Sequence, residues 1–282
     1  MMQLFNPNTA VHASPSSITE FGKKILAEDS DNPGSLGIAI GEAIERAVST
    51  GAKYSLGSVL NHVLIHQTII GQEAKTQLES IDVYLDIVIG CVSGGSNFAG
   101  LAYPFVKDKI DGTKDLRIIA SESGAAPKMT EGKVAYDFAD SGQKTPLLKM
   151  HTIGSSFIPP PVHAGCLRYH GLAPTLSMLL NHNLVEATAI SQIDSFKASQ
   201  RFIQAEGIIP TPESGYAVAQ VITEARKVPK GEEKTILFNL SGHGYLDLVG
   251  YQEFLEGRLT DDNASIESIE RSMIAAGVIS GD

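Results

Sequence analysis

The chain has 282 residues, enough for one large domain or two modest ones at about 150 residues each. Acidic residues outnumber basic ones 32 to 22, giving a net charge of −10, and no Lys/Arg-rich block occurs, which argues against nucleic acid or an anionic membrane as partner. A 43% hydrophobic and 19% charged composition excludes a disordered chain, and no segment has the roughly 18 to 20 continuous apolar residues that span a bilayer.

In chain order, residues 36–48 place Leu36, Ile40, Ala43, Ile44 and Ala47 at helical spacing, with Gly51 as the stop. A second helix is expected over 67–78. Residues 84–89, from Tyr84 to Ile89, form a short apolar, β-branched run that reads as a buried strand, and residues 117–120 and 235–240 are of the same kind. Helical stretches fall at 175–181, 192–205 and 214–227, the second offering Ile193, Phe196, Phe202 and Ile203 to one face. Strands separated by helices predict an α/β fold built on a mainly parallel sheet flanked by helices, with ligands beyond the carboxyl ends of the strands. Beyond Gln252 a packing helix is expected, with Ile266, Ile269, Met273 and Ile274 on one side and Gly277 ending it.

The two cysteines, Cys91 and Cys166, are too few for a disulfide framework and fit a reducing cytoplasm; the opening residues 1–7 lack the charged and apolar regions of an export signal. The strongest local signal is Ile89-Gly90-Cys91-Val92-Ser93-Gly94-Gly95-Ser96-Asn97-Phe98-Ala99-Gly100, a strand running through a glycine-rich turn into a helix. Such a turn lets backbone N–H groups approach a phosphate, the helix N-terminus adds a favourable dipole, and Ser96 and Asn97 add side-chain donors. Neither a Gly-Lys-Ser/Thr ending nor G-x-G-x-x-G is present, so a single phosphate group is expected rather than a nucleotide. A tight turn without a ligand accounts for the same residues equally well.

Two further loops occupy comparable positions: Pro210-Thr211-Pro212-Glu213-Ser214-Gly215 and Leu240-Ser241-Gly242-His243-Gly244. Taken singly, Glu213 reads as an acidic first-turn residue and Ser241 as a turn serine. His163, Cys166 and His170 lie close in sequence but lack a fourth ligand, and the prolines at 159–161 predict an extended wall, so no metal site is expected.

Together, Gly71-Gln72-Glu73-Ala74-Lys75, Gly94-Gly95-Ser96-Asn97, the block from Ile158-Pro159-Pro160-Pro161 to Arg168-Tyr169-His170-Gly171, Glu206-Gly207-Ile208-Ile209-Pro210 with Pro212-Glu213-Ser214, and Asn239-Leu240-Ser241-Gly242-His243-Gly244 resemble the carboxyl-terminal part of tryptophan synthase beta chains, closest to their second class. The resemblance runs from about residue 15 to 251. It implies fold type II and pyridoxal 5′-phosphate as cofactor, with its phosphate on Ser93, Gly94, Gly95, Ser96 and Asn97, Glu213 beside the ring and 3′-oxygen, and Ser241 facing the pyridine nitrogen. A neutral hydroxyl there makes the ring a milder electron sink, favouring β-replacement, in the family the joining of indole to L-serine. It further implies a homo-oligomer, a dimer, and a monovalent cation. It divides the chain into residues 1–65, a remnant of the amino-terminal domain, and 66–282, the phosphate-binding α/β domain with its tail helix.

Departures from the pattern are informative. The family's Schiff-base lysine lies in a Ser/Gly-His-Lys motif, and this sequence has no His-Lys dipeptide. Also without counterpart is the loop carrying the catalytic glutamate. Ser93 replaces a glycine, Ser156 stands where an aspartate closes over the serine substrate, and Tyr216 stands where histidine is usual. The expectation is a chain inactive alone, binding the cofactor weakly and without a covalent link, and needing a complementing amino-terminal polypeptide. The alternative is a non-catalytic cofactor- or phosphate-binding or interaction protein.

Overall fold

The computed structural model describes residues 2–55, 57, 59–83 and 85–280; Tyr84, with which the first expected strand begins, lies outside them. A four-stranded sheet in the order β5-β2-β1-β6 is wholly parallel. Its strands are β1 (Ile87–Cys91), β2 (Arg117–Ser123), β5 (Glu186–Ile190) and β6 (Ile236–Phe238). Between β2 and β5 stands an antiparallel hairpin of β3 (Lys133–Phe138) and β4 (Leu147–Thr152). The α/β architecture expected from the alternation is therefore present.

Both faces of the sheet are covered, which explains why β1 reads as an unbroken apolar run and why β2 carries Ile118-Ile119-Ala120 near its start. Alternate residues go to opposite sides: Val88, Ile118 and Ala120 join one buried cluster, and Ile87, Ile89, Cys91 and Ile119 the other. The first cluster is closed by α6 (Ser96–Ile110) and α7 (Pro174–Asn181) through Phe98, Leu101, Phe105 and Leu176. The second is closed by α9 (Pro212–Ala225) through Tyr216 and Ala217. Next to α9 lies α8 (Gln192–Glu206), and Ala198 of the one packs with Val218 and Ala219 of the other.

The amino-terminal region adds α1 (Met2–Phe5), α2 (Glu20–Glu28) and α3 (Leu36–Thr50), the last ending at Gly51 in the left-handed region as its sequence predicts. The helix expected over 67–78 is α5 (Ile69–Ser80); a short helix that the sequence reading did not place, α4 (Asn61–Gln67), precedes it and ends at Thr68, whose hydroxyl donates to the Ile65 carbonyl. Gly71 of α5 lies so close to α6 that a Cβ would stand 2.2 Å from the Leu101 carbonyl oxygen. The carboxyl-terminal region holds α10 (Leu248–Leu255) and α11 (Ile266–Ala275), and Ile269 and Met273 of α11 pack on Ile153 and Phe157. Among the described residues no helix is long and apolar enough to cross a membrane.

Candidate cofactor site

β1 delivers the chain to the centre of the sheet, where Val92 donates its N–H to the Ser121 carbonyl at 2.8 Å and ends the pairing with β2. The chain then turns through Ser93, Gly94 and Gly95 into α6. Gly95 holds φ +124, which side chains rarely adopt, and a Cβ on it would lie 3.1 Å from Leu176 and 3.3 Å from Ala173. Gly94 accepts from the Ala173 N–H at 2.7 Å, so the loop is fastened to the start of α7. Gly95 is the N-cap of α6 and makes no side-chain capping bond, which leaves the first-turn N–H groups of α6 for an incoming acceptor.

The side chains around this turn are divided between structure and site. Ser93 spans to the Cys166 carbonyl, tying the loop to the 165–167 turn. Asn97 faces inward: its amide donates to the Cys91 carbonyl at 3.2 Å and to the Cys91 sulfur at 3.3 Å. What Asn97 has for an anion is its main-chain N–H rather than the side-chain donor expected from the sequence. Ser96 is buried in the first turn.

Glu213 and Ser241 reach the same end of β1 from different elements. Glu213 lies in the first turn of α9, capped by Thr211, and accepts from the Cys166 N–H at 3.3 Å. Burial pushes its carboxyl above the usual range, against the hydrogen bonds it accepts. Ser241 is exposed and follows β6; its hydroxyl is 3.4 Å from that of Ser214 and also meets the Cys91 thiol. The two loops are laced by the Thr211 N–H to Gly242 carbonyl bond at 3.2 Å and the Gly244 N–H to Ile209 carbonyl bond at 2.8 Å. Gly244 permits this approach, since a Cβ there would meet the Pro210 oxygen at 2.5 Å.

Residues that sequence reasoning did not place here complete the wall. Cys91 is buried between these groups, and burial, reinforced by Glu213, pushes its thiol up to about 12, so it is a neutral spacer. Cys166 is exposed beside Glu213. Asn239 extends β6 and grips the first turn of α6. Strand register is the signal that could have found Asn239, because its N–H donates to the Ile89 carbonyl.

The block at 159–171 is a clamp. Arg168 donates to the carbonyls of Pro159, Pro160, Pro33 and Gly34, fixing the extended proline wall to the turn before α3. His163 pairs with Glu253 at 2.7 Å, whereas His170 is buried against the Phe138 carbonyl, so neither joins Cys166 in a ligand cluster. Ser156 bonds to the Ser272 hydroxyl at 3.1 Å and holds α11. Tyr216 is buried with its hydroxyl 3.3 Å from that of Ser123, and burial pushes it up to about 12.

A helix N-terminus without a side-chain cap, a turn that only glycine fits at Gly95, and a hydroxyl and a carboxyl on adjoining loops are groups able to hold an anion and a polar ring. The family model described as "Pyridoxal-phosphate dependent enzyme" matches residues 5–242. The chain belongs to this family. A tryptophan synthase beta chain of Thermococcus onnurineus (strain NA1) is 56% identical over 253 residues, which are 89% of this chain and 57% of that protein. The tryptophan synthase beta chain 2 of Aeropyrum pernix is 55% identical over 264 residues, 93% of this chain and 58% of that protein. The chain thus spans a little over half the length of the curated relatives it matches. The crystal structure of a fungal L-serine ammonia-lyase from Rhizomucor miehei aligns with a TM-score of 0.57 at 18% identity, covering 77% of this chain and 64% of that one, a likeness of fold. The resemblance read from the motifs, and the fold type II architecture it implied, are therefore both present.

Proposed function

We propose that this chain carries the cofactor-phosphate side of a tryptophan synthase beta-type active site, which joins indole to L-serine. The observation that carries the reading is the meeting of the Ser93 to Asn97 turn, Glu213 and Ser241 at one end of β1. The identity to tryptophan synthase beta chains supports it.

Pyridoxal phosphate, when bound, supplies an electron sink that lets a β-hydroxyl depart and a nucleophile take its place. The N–H groups opening α6, with those of Gly94 and Gly95, hold the phosphate dianion; hydrogen bonds to charged groups contribute roughly 1.5 to 3 kcal/mol each. Ser241 would offer the ring nitrogen a neutral hydroxyl, which would leave it without a proton. Glu213, its carboxyl raised by burial, would lie beside the ring and its 3′-oxygen. The Arg168 clamp holds the proline wall in place through the Pro159 and Pro160 carbonyls.

The sequence contains no His-Lys dipeptide, so we assign the lysine that holds the cofactor covalently, and the carboxylate that moves protons, to an amino-terminal half outside these 282 residues, such as a complementing polypeptide. Positioned proton-transfer groups supply about 10² to 10⁴ each, and without them the 282 residues are proposed to bind cofactor weakly and to lack turnover. Association as a dimer belongs to the same proposal. The test is tryptophan formation from L-serine and indole by the chain alone and with the amino-terminal segment of the Thermococcus onnurineus relative. Activity only in the second case supports the reading; none in either favours a binding protein without catalysis.

A further inference from the structure

Behind the phosphate turn lies a pair of charges that nothing above uses. Glu122, on β2, and Lys128, in the turn before β3, are both fully buried. Glu122 is satisfied by that turn: its carboxylate accepts from the Met129 N–H at 2.9 Å, and from the Thr130 N–H and hydroxyl, both at 2.9 Å. The Lys128 ammonium is 3.8 Å from the Glu122 carboxylate and donates at 3.2 Å to the Val92 carbonyl. Burial pushes Lys128 down and Glu122 up, and each opposes the shift of the other.

This is an expensive way to fill a core. A buried ion pair is commonly no more stabilising than apolar side chains of the same volume, so its presence calls for a use beyond packing. Its position supplies one. Val92 immediately precedes the turn, its N–H held by Ser121 and its carbonyl by Lys128, so the two peptides that lead into Ser93, Gly94 and Gly95 are each fixed. The ammonium also lies within the low-dielectric interior, where a charge acts on a nearby anion with little screening. The Cys91 thiol next to it is neutral, and the Glu122 charge is spread over backbone donors.

Resting on the cofactor reading above, we propose that Lys128 is a positioning residue of the phosphate site: an internal cation that orients the 92–95 turn and draws a phosphate dianion to its outer side. Lys128 touches no ligand and acts through the Val92 carbonyl and through space. Glu122 keeps the ammonium seated when the site is empty.

The test compares binding of pyridoxal 5′-phosphate with binding of pyridoxal, which lacks the phosphate, by the full 282-residue chain and by K128M, K128R and the doubly neutral E122Q/K128M. The proposal expects K128M to weaken pyridoxal phosphate binding about tenfold or more, the scale of one charge-assisted interaction, with pyridoxal binding held within about twofold. K128R should recover most of the loss. Should K128M not fold, E122Q/K128M carries the same comparison without an orphaned charge. Equal weakening of both compounds, or of neither, overturns the role of Lys128 while leaving the cofactor reading intact. Equal binding of the two compounds by the wild-type chain would overturn the phosphate site itself, and the role of Lys128 with it.

Discussion

The side-chain amide of Asn239 donates to both the main-chain carbonyl of Asn97, at 2.9 Å, and its side-chain oxygen, at 3.1 Å, so the end of β6 is riveted to the first turn of α6. Asn97 in turn donates to Cys91 at the end of β1. One asparagine pair therefore aligns two strand ends and one helix N-terminus at the point where the phosphate is proposed to sit. Replacing Asn239 with Ala should leave Asn97 short of two donated bonds and cost about 1 to 3 kcal/mol of stability. Cofactor affinity should fall as well, because the first turn of α6 loses its anchor. Denaturant unfolding and a pyridoxal phosphate titration of the same variant read both effects; a loss of stability without loss of affinity would confine the pair to the fold.

Gly95 is the most constrained position in the turn. A valine there meets both a forbidden backbone angle and the side chains of Leu176 and Ala173. We expect G95V to abolish pyridoxal phosphate binding while G51A, in open space at φ +70, leaves it unchanged. Unaltered binding by G95V would remove the turn from the site.

Ser241 is proposed to keep the ring nitrogen unprotonated. In the complemented enzyme S241D should protonate it and strengthen the electron sink, shifting product from tryptophan towards transamination products. Chromatographic analysis of products from L-serine and indole decides the matter, and an unchanged partition would make Ser241 a turn residue only.

Far from the site, Glu42 of α3 gathers the segment that precedes α2, accepting from Ser16 through its N–H and hydroxyl at 2.9 and 2.8 Å and from Thr19 at 2.6 Å. Burial raises its pKa, but these bonds and that from Ser14 prevail and hold it below 4.5. A carboxylate depressed by folding contributes stability above its unfolded value, and that contribution is lost as the pH falls through the folded value. E42Q should therefore be less stable than wild type at pH 7, with the gap closing below about pH 4.5 as protonation overtakes the wild-type side chain. A gap independent of pH would assign the loss to geometry rather than charge.

How much of this was legible in the sequence depends on the range of the interactions that decide each element. The stop at Gly51, the strand into the glycine turn and the start of α6 were readable because each is fixed by neighbours in the chain. The hairpin of β3 and β4 was not, since Lys133–Phe138 and Leu147–Thr152 break their apolar residues with Lys, Asp and His, leave Val134, Tyr136 and Leu147 exposed, and become strands only by pairing with each other. For the same reason β5, at the sheet edge, gave no apolar run. Motif order brought Glu213 and Ser241 to one place, but Cys91 and Asn239, though they lie within sequence motifs, carry no signature of their roles, and Lys128 lies in none. Their roles come from strand register and burial, which join residues tens of positions apart.

The central proposal is that these 282 residues hold the cofactor phosphate and that residues outside them supply the reactive lysine. It is tested most directly by adding pyridoxal phosphate, reducing with borohydride, digesting, and mapping the label by mass spectrometry. The measurement is made on the chain alone and again with an amino-terminal polypeptide of a tryptophan synthase beta relative. A covalent adduct needs an amine held at the cofactor aldehyde with a pKa lowered by its surroundings; exposed lysines meet neither condition, and buried Lys128 is held on the Val92 carbonyl behind the turn instead. Sparse label scattered over many lysines of the chain alone, and stoichiometric label on the added polypeptide, is the predicted result. One lysine of this chain labelled stoichiometrically, together with tryptophan formation, would contradict the account.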